Sequence, residues 1–366
     1  MDGVLVMSQG YHRALQQTVA WMAEALGYRD AELVPDDIAL IESLGISSEW
    51  ESAAICTALL LAHGWRHGLD IEPPERLPNP RPPHGVEPPP LRSFFEQLGP
   101  LKDSRSALAE LESGLASLDG QAADPELLRE LLQTARSPES LTHRTIQALV
   151  LGPTAYRETY GDDPDLESDS YLTQYDEPAL SPETRADLRS WLGREGHTAA
   201  IFTNRPSMPP SGHIDPPEAQ IGAELVGLPE LPIVGSGDLG WLALREDQPL
   251  YHYLKPSPVH ALAALQRAID VPQEPALLRA LELHRGSDDR AHWKPLSGAV
   301  VRAFEDSAKG LISVERARER LAQVDVHIEI ELIGISPHPD KRTELKKTGA
   351  QVFDSLEQAI STQARA

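Results

Sequence analysis

The chain opens with Met1-Asp2-Gly3-Val4-Leu5-Val6. An Asp-Gly pair followed by apolar residues usually comes directly after a buried strand, and no strand precedes this one. Two later stretches have matching chemistry, because each is an apolar run that ends in polar side chains: Ala199-Ala200-Ile201-Phe202-Thr203-Asn204 and Val300-Val301-Arg302-Ala303-Phe304-Glu305-Asp306-Ser307. We therefore expect the three stretches to form one site, on which the rest of the fold depends.

The length and charge of the chain limit its architecture and its partners. At 366 residues it exceeds the usual size of one domain, so two domains are expected. Its 33 basic and 56 acidic residues leave a net charge of −23. Such a field repels phosphate backbones and anionic lipid head groups, which argues against nucleic-acid or membrane partners. A small anionic substrate remains possible, because a few local cations in a pocket can outweigh the global field.

The cysteine content and the N-terminus bear on cellular location. Cys56 is the single cysteine, so the chain has no intrachain disulfide and no cysteine-based zinc site. Its apolar neighbours predict an inert core residue. No apolar run approaches the ~20 residues that cross a bilayer, and the N-terminus lacks a secretory signal pattern. We expect a cytoplasmic protein.

The first half of the chain has helical periodicity. Apolar residues recur at helical spacing from Leu15 to Leu26, and further amphipathic patterns follow, including one at 103–118. The proline-rich segment 72–90 interrupts them, and its composition favours a surface insertion over a recognition motif. We therefore predict an all-helical domain over residues 9–193.

The second half alternates between strand and helix patterns. Short apolar runs predict strands near the following positions: 198–203, 231–234, 298–304, 328–335 and 351–353. Helical patterns separate these runs. This alternation predicts an α/β core with a Rossmann-like parallel sheet, formed by residues 1–8 and 194–366. Because ligands bind at the carboxyl ends of parallel strands, Thr203, Glu305 and Asp306 are candidate site residues.

Four short motifs carry a resemblance to a known family. They are Asp2-Gly3-Val4-Leu5, Thr203-Asn204, Leu254-Lys255-Pro256-Ser257-Pro258 and Phe304-Glu305-Asp306-Ser307 with Gly310-Leu311. In this order, with a helical insertion after the first motif, the chain resembles the haloacid dehalogenase superfamily of phosphohydrolases. The similarity covers residues 1–30 and 185–366. It implies that the helical segment is a cap domain inserted into the α/β core.

The resemblance implies a role for each matched residue. Thr203, with Asn204 beside it, would hold a phosphoryl oxygen, and Lys255 would offset the negative charge of the phosphoryl group. Glu305 and Asp306 would bind Mg²⁺ through hard carboxylate oxygens. The implied substrate is a small phosphorylated metabolite, and the implied cofactor is Mg²⁺.

The first motif matches the family only in part. Asp2 corresponds to the second carboxylate of an Asp-x-Asp-Gly motif, which acts as acid and base and ligates the metal through its main-chain carbonyl. The nucleophilic Asp, which would form a phospho-aspartate, would lie one residue before Met1. We expect Met1 to be an internal methionine, so that in-frame codons upstream encode a short apolar run ending in Asp.

Two functional hypotheses follow. The first is a Mg²⁺-dependent phosphohydrolase that is active in its full-length form, with the chain as given inactive, and the alternative is a catalytically inactive binding or regulatory protein of the same fold. Each site residue also has a structural explanation, because Thr203 can simply end a strand and Lys255 can be a surface lysine. Glu305 and Asp306 can serve the helix that follows them.

Two further features of the sequence suggest ligand contacts. The stretch Gly235-Ser236-Gly237-Asp238-Leu239-Gly240 has the glycine spacing of a dinucleotide-binding loop. The residues after it, Trp241 to Pro249, are not typical of the long helix that such a loop opens, so we predict a turn near the lysine motif. Arg205 follows the threonine motif, and substrate contact and salt bridging are equally open for it.

Overall fold

The computed structural model describes residues 1–46, 48–98, 124–211, 213–287 and 289–363. The chain divides into two compact units. One, the helical unit, comprises Gln9–Tyr175, and the other, the site unit, comprises Met1–Ser8 with Asp176–Ala366. Our sequence-based boundary lies near residue 193, whereas this division assigns residues 176–193 to the site unit.

The helical unit consists of helices α1 to α7 in the part of the chain that the structure describes. They are α1 (Gly10–Ala25), α2 (Pro35–Ser43), α3 (Glu49–Arg66), α4 (Leu91–Leu98), α5 (Pro125–Gln133), α6 (Leu141–Tyr160) and α7 (Tyr171–Tyr175). The apolar side of α1 packs against α3 and α6, as its helical spacing predicts. Gly152, with φ +73°, and Pro153 bend α6. The helix predicted at 103–118 lies outside the described residues.

The proline-rich segment 72–90 contains no helix or strand. Its Leu77 side chain is 1% exposed. The backbone N–H of Arg81 donates to the carbonyl of Glu24 (3.0 Å), and His63 Nε2 lies 3.0 Å from the carbonyl of Glu87. The segment is therefore anchored to helices of its own unit.

The site unit contains seven short strands in its described residues. β1 (Val6–Met7) and β2 (Glu177–Pro178) pair antiparallel, and β3 (Ile201–Phe202) and β4 (Ile233–Val234) pair parallel. The strands β5 (Val300–Glu305), β6 (Glu329–Ile335) and β7 (Gln351–Phe353) form a parallel sheet in that order. The helices are α8 (Pro182–Leu192), α9 (Glu218–Leu225), α10 (Ser236–Arg245), α11 (Pro258–Ala268), α12 (Gln273–His284), α13 (Ala308–Gln323), α14 (Pro339–Lys347) and α15 (Leu356–Gln363).

The predicted fold class, an α/β fold with a Rossmann-like parallel core and an inserted cap, is wrong. The structure is about 53% helical, and its strands form sheets of two or three in place of one extended parallel sheet. Periodicity reports local structure but does not specify which strands pair. Only Ile201 and Phe202 pair within the run predicted at 198–203, so this run offers few backbone hydrogen bonds for extending a sheet.

The two larger apolar clusters among the described residues of the site unit stabilise it. In the first, helices α11, α12 and α13 pack together through residues such as Leu262, Leu281 and Leu321. The second joins Val6 and Ile201 to Ile333 and Phe353. The second cluster therefore connects the N-terminal stretch with side chains of β3, β6 and β7. Of these strands, β6 and β7 share a sheet, whereas β3 belongs to another.

None of the helices in the described ranges combines the length and apolarity needed to cross a membrane.

Candidate functional site

The first six residues form a turn in which Gly3 lies against Asp306. The N–H groups of Val4 and Leu5 donate to the carbonyl of Met1 at 3.2 and 2.8 Å, and Gly3 adopts φ +66°. A Cβ atom on Gly3 would lie 2.8 Å from Asp306 Oδ2. Glycine at position 3 therefore satisfies the left-handed backbone and leaves room for the Asp306 carboxylate.

Electrostatics place several of the predicted residues near this turn. The backbone nitrogen of Met1 lies within electrostatic range of four of them, namely Lys255, Glu305, Asp2 and Asp306. Residues that are up to 305 positions apart therefore meet at one place.

Thr203 follows β3 with its hydroxyl directed by hydrogen bonds. Its side chain is buried, and its N–H donates to the carbonyl of Val234 (3.0 Å). The Thr203 Oγ1 atom accepts a hydrogen bond from the backbone N–H of Arg205 (3.2 Å). The hydroxyl proton can therefore be donated to another acceptor. Asn204, the other predicted substrate contact in this motif, is exposed.

Lys255 is held in place by three contacts. Its side chain is 7% exposed, and its Nζ forms an ion pair with Glu305, whose side chain is 4% exposed. The ammonium also donates to the carbonyl of Phe202 (3.2 Å) and lies 3.9 Å from the centroid of the Phe202 ring. The structural alternative of an ordinary surface lysine is therefore excluded.

Glu305 occupies space that only a glycine leaves open. A Cβ atom on Gly310, in the first turn of α13, would lie 2.2 Å from Glu305 Cδ. Ser307 Oγ accepts from the N–H of Gly310 (3.3 Å) and caps the helix, which is the role the structural alternative predicts for this segment. In this structure the carboxylate of Glu305 is the ion-pair partner of Lys255.

Arg205 makes salt bridges, which answers the question that the sequence left open. Its Nε and Nη2 atoms donate to Asp2 Oδ1 at 2.8 and 2.5 Å, and Nη2 also donates to Asp176 Oδ2 at 2.8 Å. The side chains of Arg205 and Asp176 are 2% and 0% exposed, and that of Asp2 is 40% exposed. Asp176 was missed from the sequence, because it lies in an acidic, turn-rich stretch without a motif.

The pKa of Asp2 reflects these contacts. Burial alone would raise the pKa, but the charge of Arg205 and its hydrogen bonds outweigh burial and lower it. Asp2 is therefore ionised at neutral pH, and its exposed fraction leaves it accessible to a substrate or to water.

The predicted metal ligands do not form a complete metal site. The carboxylates of Asp2 and Glu305 are engaged by Arg205 and Lys255. Asp306 is 27% exposed and lies 3.5 Å from Lys341 Nζ. In the parts of the chain that the structure describes, no group of three or more His, Cys, Asp or Glu side chains is arranged to hold a metal ion. These side chains alone therefore do not complete a Mg²⁺ site as the structure stands.

A cleft adjoins the site. It has a volume of about 570 Å³ and is lined by Asp306, Ser307 and residues of α14 that include Lys341 and Thr343. Four carboxylates of the site (Asp2, Asp176, Glu305 and Asp306) face three side-chain cations (Arg205, Lys255 and Lys341). The side chains therefore carry one net negative charge.

The glycine-rich stretch does open a helix, so our prediction of a simple turn there is wrong. Helix α10 begins at Ser236, directly after β4. However, Asp238 Oδ2 accepts from the N–H of Gly235 (2.8 Å) and from Ser207 Oγ (2.5 Å). Asp215 Oδ2 would lie 2.6 Å from a Cβ atom on Gly237. Two carboxylates thus occupy the helix N-terminus at which a dinucleotide would place its phosphates.

Comparisons with known proteins give a fold but no family. No family model matches the chain, and no curated protein matches it either. It is similar to a crystal structure solved as a target of the Northeast Structural Genomics Consortium, with a TM-score of 0.67 and 16% sequence identity. The match covers 100% of this chain and 97% of that one. At this identity the likeness shows that the two chains share a fold along their length, and nothing about activity.

Proposed function

We propose that this chain carries the phosphoryl-binding and acid–base groups of a phosphohydrolase that acts on a small phosphorylated metabolite. One observation carries the proposal. Lys255 and Asp306 lie near the turn that contains Asp2, and Thr203 is linked to Asp2 through Arg205, although these residues are distant in sequence. We also propose a cytoplasmic location, in keeping with the single buried cysteine.

The chemistry of the converging groups suits phosphoryl transfer, which depends mainly on positioning and charge neutralisation. Lys255 is a buried cation whose position is fixed by Glu305 and Phe202. Thr203 has a hydroxyl proton to donate to a phosphoryl oxygen. Asp2, ionised and partly exposed, can accept a proton from an attacking water. The phospho-aspartate route stays a prediction, because no residue of this chain is assigned as its nucleophile.

The Mg²⁺ requirement is a separate part of the proposal. The net negative charge of the site repels a phosphate ester, and a divalent cation beside Asp306 would offset that repulsion. The arrangement of carboxylates does not complete a metal site, so metal dependence has to be measured independently of hydrolysis.

The test measures phosphate release from a panel of small phosphate monoesters, with Mg²⁺ and with EDTA. It uses two proteins: the chain of residues 1–366, and a longer form that also contains the residues encoded in frame before Met1. We expect Lys255→Ala and Thr203→Ala each to lower kcat/KM by roughly 100-fold or more, on the scale of losing one preorganised electrostatic contact. Lys346→Ala, on the exposed side of α14, is the control and should leave kcat/KM unchanged.

The hydrolase proposal would be refuted if neither folded form released phosphate. It would also be refuted if Lys255→Ala and Thr203→Ala left the activity unchanged. The alternative is a binding protein without turnover, and the ion pairs of Asp2 and Glu305 favour it, because they hold both carboxylates in place. Calorimetry would then show a phosphate monoester binding intact, and Lys255→Ala would abolish this binding.

A further inference from the structure

Arg205 contacts four residues, of which two belong to the segment Met1–Ser8 and two to the segment Asp176–Ala366 of the site unit. Besides Asp2 and Asp176, its Nη2 atom donates to Ser8 Oγ at 3.0 Å. Its backbone N–H donates to Thr203 Oγ1 at 3.2 Å. One residue therefore contacts both the partly exposed carboxylate and the threonine hydroxyl of the proposed site.

Two of these partners lie where the chain leaves and re-enters the site unit. The unit consists of Met1–Ser8 and Asp176–Ala366, so Ser8 and Asp176 are the boundary residues of its two segments. The segments are also joined by the β1–β2 ladder, in which Val6 pairs with Pro178 and Met7 with Glu177. The Arg205 guanidinium thus bridges the paired segments and Asp2.

The surroundings of the guanidinium favour one fixed placement. Arginine has a planar fork of donors, which sets the direction of its partners more strictly than the point charge of a lysine does. The side chains of Arg205 and Asp176 are almost completely buried, so the loss of either charge leaves the other buried without its partner in this pair. Gly222 of α9 leaves room for the fork, because its Cβ atom would lie 3.2 Å from Arg205 Nη1.

We propose that Arg205 is a positioning residue that fixes the Asp2 carboxylate and makes its placement depend on the paired segments β1 and β2. A change in these segments that moves Ser8 or Asp176 would shift the guanidinium and with it Asp2. The claim that Asp2 takes part in turnover rests on the proposed function. The claim that Arg205 links Asp2 to Ser8 and Asp176 does not, and it can be tested without an activity assay.

The first experiment is a double-mutant cycle on the full chain, with unfolding equilibria measured in denaturant. Asp2→Asn and Asp176→Asn each neutralise one of the two carboxylates that form these salt bridges with Arg205, and the double variant neutralises both. We therefore expect the double variant to reduce the folding equilibrium constant at least about fivefold more than the product of the two single effects. Asp238→Asn is the matched control, because Asp238 is also 0% exposed but is bonded to Ser207 and Gln273. When Asp238→Asn is combined with Asp2→Asn, the folding equilibrium constant should fall by the product of the two single effects, which shows no coupling.

The second experiment compares crystal structures of the parent and of Asp176→Asn, in which at least one Arg205–Asp2 hydrogen bond should be lost. If the parent hydrolyses a phosphate monoester, Asp176→Asn should lower kcat about tenfold with KM changed less than about threefold, because Asp176 acts through Asp2. Multiplicative effects in the cycle, or an unmoved Asp2 in the variant, would overturn the linkage. If the parent is active and Asp176→Asn leaves kcat unchanged, Arg205 does not position Asp2 for turnover. If the parent is inactive, the proposed function is contradicted, and the double-mutant cycle and the crystal structures alone decide whether Asp2 and Asp176 are linked through Arg205.

Discussion

Asp215 shows how a residue without a motif acquires unusual chemistry from the fold. It lies within the proline-rich stretch Pro206–Pro217, and its carboxylate lies against Gly237 at the start of α10. Burial, followed by the charge of Asp238, raises the pKa of Asp215 to about 7. The sequence shows two distant aspartates, and only the tertiary structure brings them together.

The raised pKa predicts a specific dependence of stability on pH. The folded state binds the Asp215 proton more tightly than the unfolded chain does, whose value is near 3.8. Stability from this group is therefore fully present below about pH 4 and is lost as the pH rises towards about 7. Asp215→Asn should be more stable than the parent above pH 7, by about 1–2 kcal/mol after allowance for solvent screening, and the advantage should shrink towards pH 4. Urea unfolding at a series of pH values measures it, and a constant difference at every pH would contradict the assignment.

The elements of the site unit were predictable where their local pattern is strong. The strands at 300–305, 329–335 and 351–353 and the helix after Ser307 lie close to the predicted positions, because apolar runs, a capping serine and helical spacing act locally. Helix α12 was missed in a segment without an assigned pattern, and α10 was missed because the residues from Trp241 to Pro249 are not typical of a long helix, whereas α10 ends at Arg245. For the candidate site, the short motifs predicted Lys255 and Thr203 but gave no sign of the Arg205–Asp176 contact, which depends on tertiary packing.

The N-terminus of α13 carries a prediction about glycine. Gly310→Ala should destabilise the fold by about 1–3 kcal/mol, because the new methyl group overlaps the Glu305 carboxylate and displaces it from Lys255. Gly240→Ala is the control within α10, since a Cβ atom there meets nothing within 4 Å. It should stabilise the protein by up to about 1 kcal/mol through helix propensity alone. Equal effects of the two substitutions in denaturant unfolding would show that Glu305 moves aside freely.

At the scale of the whole molecule, the sequence predicted the local elements better than their assembly. The alternation of strands and helices led us to expect one parallel sheet, whereas β3–β4 and β5–β6–β7 are separate. Both sets nevertheless contribute side chains to one apolar cluster, in which Ile201 and Ile233 accompany Ile333 and Phe353. Hydrophobic periodicity identifies the buried faces, but backbone pairing between distant strands leaves no periodic signal in the sequence.

The division into two units predicts how the full chain unfolds. Each unit has its own buried leucines, represented by Leu60 of α3 in the helical unit and Leu262 of α11 in the site unit, both 0% exposed. Units with separate cores tend to unfold as separate cooperative transitions, so calorimetry of the full chain should resolve two. Leu60→Ala should lower the midpoint of one transition and Leu262→Ala that of the other, because each leaves a cavity that costs about 2–5 kcal/mol in its own core. The two variants serve as controls for each other. If both shift the same transition by similar amounts, the cores are one cooperative unit, and the division describes geometry without independent stability.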